Sequence, residues 1–237
     1  PNKTLFFDVA VKSLQQTDIK KNHLLFILID LDDFMLIIDT HGYSIGNKLL
    51  ELLAKRLSDK INEDEIVSYW GGDKFNLIIN IGTSEVEKSL RVKEIKNTIS
   101  EPITIDGHQF SINSSIGVSI FPKDDKNLNQ LIRHSEIAMN YVKNHGKNNI
   151  KYYEHKLQEK LMNQFGIEVS LRKAILDRQW EVHYQPKYNI KNNLYGFEAL
   201  IRWIHPEKGL IGPDEFIPIA EKSDQICEIG SFIIDHV

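Results

Sequence analysis

The stretch "HLLFILIDLDDF", residues 23–34, constrains this chain most. Leu24 to Ile29 is an unbroken apolar run, the pattern of a strand covered on both faces, and it stops at Asp30, Asp32 and Asp33. Such a strand needs a sheet beside it and a layer above and below. A partner follows in "YWGGDKFNLII", where Ile66–Tyr69 and Phe75–Ile79 flank Gly71 and Gly72. Two glycines before an acid suit a tight hairpin tip that presents the Asp73 carboxylate. Lys74, directly after it, is the odd residue of the stretch.

Covering layers are legible as helical periods. Leu5, Phe6, Val9 and Leu14 mark a helix within 4–19, Leu49 to Leu57 one over 46–60, and Val86 to Ile99 one over 85–100. Leu128 to Val142 mark another over 127–144, with Gly146 just past its end. Asp106-Gly107 predicts a hairpin whose second strand runs on through Ile116 and Val118 to Pro122. Helices intermixed with antiparallel hairpins predict an α+β fold in residues 1–153. A charged, helix-prone connector spans 154–178, and the pattern then restarts. "WEVHYQP" and "LYGFEALIRW" alternate as strands around Asn192-Asn193, and Pro213 opens a helix. Residues 179–237 therefore read as the opening of a second domain. The chain starts abruptly at Pro1-Asn2 and ends inside an apolar-periodic segment, as a piece of something longer would.

Composition excludes several classes. Net charge is −4 with pI near 6.2, so no basic field suits nucleic acid or an anionic membrane. The single Cys227 rules out an intramolecular disulfide, and the nine histidines lack metal-ligand spacing. With no apolar run near the roughly 20 residues of a membrane span, and no signal peptide, a cytoplasmic setting is expected, with any membrane anchor upstream.

Asp30 ends a buried strand, and Asp73 sits on a tip that can lie beside it. Converging carboxylates suit Mg²⁺, a hard cation that takes oxygen ligands and often shares them with phosphates. The same acids read equally well as a solvated strand-end turn.

The ordered motifs "LIDLDDF…IIDTHGYSIGN", "YWGGDKFNLII", "SSIGVSIFPKD" and "SEIAMNYVKNHGKNN" resemble those of GGDEF domains, bacterial diguanylate cyclases that join two GTP molecules into cyclic di-GMP. "YQP", "FEALIRW" and "HPEKGLIGPDEFIPIAE" resemble the start of an EAL domain, a cyclic di-GMP phosphodiesterase built on a (β/α)8-like barrel. The resemblance implies a central mixed or antiparallel sheet flanked by helices, followed by a truncated barrel. It further implies that Asp30, the Leu31 carbonyl and Asp73 hold metal on the triphosphate, and that Lys143 and Lys147 grip its outer phosphates. Gly71, Gly72, Asp39 and Asn47 complete the nucleotide-binding candidates. In the EAL part Glu198 is implied as a metal ligand, Gln185 and Arg202 as substrate contacts, and Glu221 as a supporting acid.

The departures cluster. Lys74 replaces the family's glutamate, and an ammonium there competes with metal and is a poor base at its reference pKa of about 10.4. Ile38 and Asn47 stand where the family reads guanine; an unmatched polar group there costs about 1–3 kcal/mol. Met35 and Tyr69 replace a lysine and an arginine, and Asn62 and Glu65 do not fit the product-inhibition motif. The expectation is a degenerate GGDEF domain with no assignable catalytic residue, weak Mg²⁺ at most, GTP or cyclic di-GMP as ligand, an upstream sensor domain and a homodimer. A weakly active cyclase and a non-catalytic cyclic di-GMP receptor stay open beside it. The EAL segment, short of most of its strands, is expected to lack phosphodiesterase activity and to be poorly ordered or paired with another chain.

Overall fold

In the computed structural model, which describes residues 3–237, the first unit runs through eleven elements. In chain order these are α1 (Lys3–Gln16), β1 (Asn22–Leu31), α2 (Phe34–Ser58), β2 (Ile66–Gly71), β3 (Lys74–Gly82) and α3 (Glu85–Ser100). They continue as β4 (Ile103–Ile105), β5 (His108–Phe110), β6 (Ser114–Phe121), α4 (Leu128–Asn144) and β7 (Ile150–Tyr152). The five-stranded sheet has the order β2-β3-β1-β6-β7, antiparallel except for the β6–β7 pair. The apolar run read from the sequence is thus its central strand.

Alternation along β1 explains why every residue from Leu24 to Leu31 is buried. Leu25, Ile27, Ile29 and Leu31 join a cluster with Leu49, Leu53 and Leu57 of α2 and Val92, Ile95 and Ile99 of α3. Leu24 and Phe26 face the other way, onto Phe6 and Ala10 of α1 and Leu131 of α4. Burying each such side chain is worth about 1.5–3 kcal/mol before ordering costs are counted. α4 can lie close on β6 because Gly117 has no side chain; a Cβ there would collide with the Ser135 carbonyl and the Met139 amide. Asn127 caps α4, its side-chain oxygen accepting from the amides of Asn129 and Gln130.

Two sequence expectations change. The helix expected over 46–60 begins at Phe34 and is broken at Gly42, whose φ of 83° no helix interior adopts. The first segment carries no helical period in the sequence, because its five consecutive apolar residues split, Met35 and Leu36 staying exposed while Phe34, Ile37 and Ile38 pack inward. The strand expected to run from Gly107 to Pro122 is two: β5 pairs with β4 in a separate ribbon, and β6 joins the main sheet. The Asp106-Gly107 turn holds, with φ of 50° and 83°.

The second compact unit is Gln158–Val237. It carries most of α5 (His155–Leu176), then β8 (Trp180–Tyr188), β9 (Leu194–His205), β10 (Gly209–Ile211), α6 (Pro213–Lys222) and α7 (Ile226–His236). Trp180, Ile201 and Trp203 on one face of its three-stranded sheet cluster with Leu171, Phe216 and Ile229 from the helices. The unit therefore has an apolar core of its own, and β8 forms an unpaired edge.

Candidate functional site

The site of the first unit gathers at the end of β1. Asp30 is fully buried and lies opposite Lys74 in the β1–β3 register. Its even position turns it to the α1–α4 face, where the Lys143 ammonium of α4 comes to 2.8 Å from Oδ1. The contact is a short charge pair, and among the described residues neither Asp30 oxygen meets a donor at full hydrogen-bond geometry. Burial pushes the Asp30 carboxyl above its ordinary value; Lys143 pulls it down, Asp73 pushes it up again, and Lys74 lowers it.

A tight turn brings Asp73 there. Gly71 and Gly72 have φ of 96° and 64°, a conformation side chains disfavour, and Gly71 pairs with Lys74 across the turn. The Leu31 amide donates to the Asp73 carbonyl at 3.0 Å, tying the tip to the end of β1. Tyr69 donates its hydroxyl to the Gly72 carbonyl at 3.1 Å, so it serves the turn itself. Lys74 is half-buried and has no ion-pair partner within 4.0 Å among the described residues.

The remaining strand-end acids divide. Asp32 is not solvated: Ser115 Oγ donates to its Oδ1 at 2.7 Å and the Asn148 amide to its Oδ2 at 2.9 Å. It is a structural tie between β1, β6 and the loop after α4. Asp33 is exposed and left-handed (φ 56°), and pairs with Lys147 at 2.6 Å. Both candidate phosphate-gripping lysines therefore contact aspartates at this corner.

The other candidates lie along α2 and beyond. Ile38 packs against Gly46 and the core, while Asp39 and Asn47 are exposed. Glu65 is buried; its Oε2 accepts from the Asn62 amide and from Arg91, each at 2.9 Å, a structural knot. In the second unit Gln185 and Glu198 are direct cross-strand neighbours, and Arg202, opposite Glu181, shares their face. Glu198 pairs with Lys187 at 3.1 Å, both half exposed, and Arg202 donates to the Ile201 carbonyl. Glu221 is exposed on α6, away from that hairpin in sequence.

The family profile described as "Diguanylate cyclase, GGDEF domain" matches residues 1–149, well over half of the chain. The chain belongs to the GGDEF family. Its second stretch, 168–237, matches the EAL domain profile, so the GGDEF domain is followed by the start of an EAL domain. Curated relatives include the bifunctional diguanylate cyclase/cyclic di-GMP phosphodiesterase MucR of Pseudomonas aeruginosa, 33% identical over all of this chain and 34% of its own length. The cyclic di-GMP phosphodiesterase NbdA of the same organism is 30% identical over 98% of this chain and 30% of its own. The chain thus spans about a third of these relatives. Among solved structures, an EAL/GGDEF domain protein from M. capsulatus superposes with a TM-score of 0.55 at 29% identity, over 65% of this chain and 99% of that one.

GGDEF and EAL domains are generally divalent-metal dependent. In this GGDEF domain the donor set fits such an ion poorly. Asp30 offers orphaned oxygens, yet Lys143 lies on one of them and Lys74 faces it from β3. No group of three or more His, Cys, Asp or Glu side chains converges among the described residues. A divalent ion held about 4 Å from an ammonium would meet a repulsion of about 8 kcal/mol at an effective dielectric of ~20. Sequence reasoning missed Ser115, Asn148 and Arg91, whose roles arise only from distant partners. For Ser115 a signal existed, its place in the apolar-flanked "SSIGVSIF".

Proposed function

We propose that this chain is part of a cyclic di-GMP signalling protein whose GGDEF domain regulates by sensing nucleotide and whose complete EAL domain carries phosphodiesterase activity. The observation that supports it is Lys74 opposite buried Asp30, an ammonium in the one position where metal-assisted attack by a ribose hydroxyl needs an acid. GTP or cyclic di-GMP is the ligand of that module. Gln185 on β8 and Glu198 and Arg202 on β9, sharing one sheet face, support the EAL role, with Glu198 as the metal-side acid and Arg202 as a phosphate contact. An upstream sensor domain, a homodimer and a cytoplasmic setting complete the picture.

Incubating the chain with GTP and Mg²⁺ tests the reading. Binding without cyclic di-GMP is the expected result, and turnover would overturn it. A weakly active cyclase is the second reading, favoured by the survival of Asp30, Asp73, Lys143 and Lys147 at one corner. Lys74→Glu separates the two, because a large gain in turnover requires the rest of the site to be competent. Cyclic di-GMP hydrolysis by the longer protein distinguishes a phosphodiesterase from a non-catalytic receptor.

A further inference from the structure

The cations at the end of β1 occupy the ground a divalent ion would need, and the geometry points to a site that takes the phosphate tail of a nucleoside triphosphate without a metal ion. Lys74 supplies the available positive charge, joined by Lys147 once a phosphate displaces Asp33, while Lys143 stays on Asp30. The inference rests on the nucleotide-sensing reading and names the form of nucleotide sensed.

Four observations carry it. Lys143 is already seated 2.8 Å from Asp30, so this acid needs no metal to be neutralised. Lys74, in register with Asp30, has no ion-pair partner of its own within 4.0 Å among the described residues, and so is a charge available to an anion. The ground beside the turn is open: a Cβ built on Gly71 or Gly72 meets nothing within 4 Å. Lys147, on the other side of the corner, is exposed, and its ammonium pairs with Asp33, which is more exposed still and which a phosphate can replace.

Charge decides between the two forms of the ligand. A metal-free triphosphate is more negative than its Mg²⁺ complex, so ammonium groups attract it more strongly. The metal complex would also bring a divalent ion up against Lys74. The site therefore prefers free nucleotide, the reverse of the order expected where an acid follows Asp73.

The test is calorimetric titration of the full chain with GTP, in EDTA and in excess Mg²⁺, with inorganic tripolyphosphate as competitor. Wild type should bind at least as tightly in EDTA as in Mg²⁺, with tripolyphosphate displacing GTP. Lys74→Met should weaken binding in EDTA by about tenfold, the effect of one lost charge-assisted contact. Lys74→Glu should invert the preference and require Mg²⁺; because it keeps a charged residue in the same turn, a merely unfolded variant is recognised by circular dichroism. Binding by wild type only in Mg²⁺, no binding in either condition, or Lys74→Met indistinguishable from wild type in EDTA would overturn the inference. Cyclic di-GMP is measured in the same Mg²⁺ samples. Its formation sinks the regulatory reading, whereas Mg²⁺-strict binding without product sinks only the metal-free site.

Discussion

Asp30 and Lys143 lie 113 positions apart in sequence, yet the lysine ammonium sits 2.8 Å from a carboxylate with no solvent exposure. This one contact joins the central strand of the sheet to the last turn of α4. It also sets the charge balance of the candidate nucleotide site.

Removing Lys143 should therefore cost more than its surface position suggests. With Lys143 36% exposed, part of the pair is screened, and Lys143→Met should lower stability by about 2 kcal/mol in urea unfolding. The double variant Asp30→Asn/Lys143→Met should recover most of that loss, since no buried charge is left unpaired. A double variant as unstable as the single would show that packing, not charge, is at stake.

Acidity gives an independent reading of Asp30. Burial holds its folded-state carboxyl above the ordinary 3.8, so the folded chain keeps this proton more readily than the unfolded chain. The stability it contributes is fully present below pH 3.8 and is lost as pH rises through the raised value. Wild type should lose stability relative to Asp30→Asn over that interval, followed by urea midpoints at successive pH values. Parallel curves for the two proteins would refute the raised value.

Asp32 should behave as a structural residue. Asp32→Ala strands the Ser115 hydroxyl and the Asn148 amide, and a loss of about 2–4 kcal/mol is expected. Asp32→Asn, which keeps one acceptor oxygen, should lose less. If nucleotide binding by calorimetry fell while stability held, Asp32 would belong to the site instead.

Gly117→Ala should be among the most disruptive small changes in the first unit. Its methyl group would collide with backbone of α4, at the Ser135 carbonyl and the Met139 amide, which cannot swing aside as a side chain can. A loss of about 3 kcal/mol is expected in thermal or urea unfolding, and the shift of α4 should also draw Lys143 away from Asp30.

In the second unit the reverse is expected. Glu198 and Lys187 are each about half exposed, so Glu198→Gln should change the stability of this chain by no more than about 0.5 kcal/mol. On the proposed phosphodiesterase role, the same change within a complete EAL domain should abolish cyclic di-GMP hydrolysis, measured by product formation. Full activity there would remove Glu198 from the metal side of the EAL site.

Elements whose signal is local were legible in the residues alone. The run Leu24–Ile29 had to be a strand covered on both faces, Asp106-Gly107 had to turn, and Gly71-Gly72 had to present Asp73. The presence of Lys74 where an acid is expected was also plain from the motif. The partner of each charged group emerges only when the chain folds. Asp30 and Asp32 are two residues apart in "IDLDDF", yet one meets α4 and lies opposite Lys74, while the other is consumed by Ser115 and Asn148. Strand periodicity places side chains on a face but cannot name what the far chain brings to that face. Those partners come from β3, β6, α4 and the loop after it, and they meet at one corner only when the helices close over both faces of the sheet.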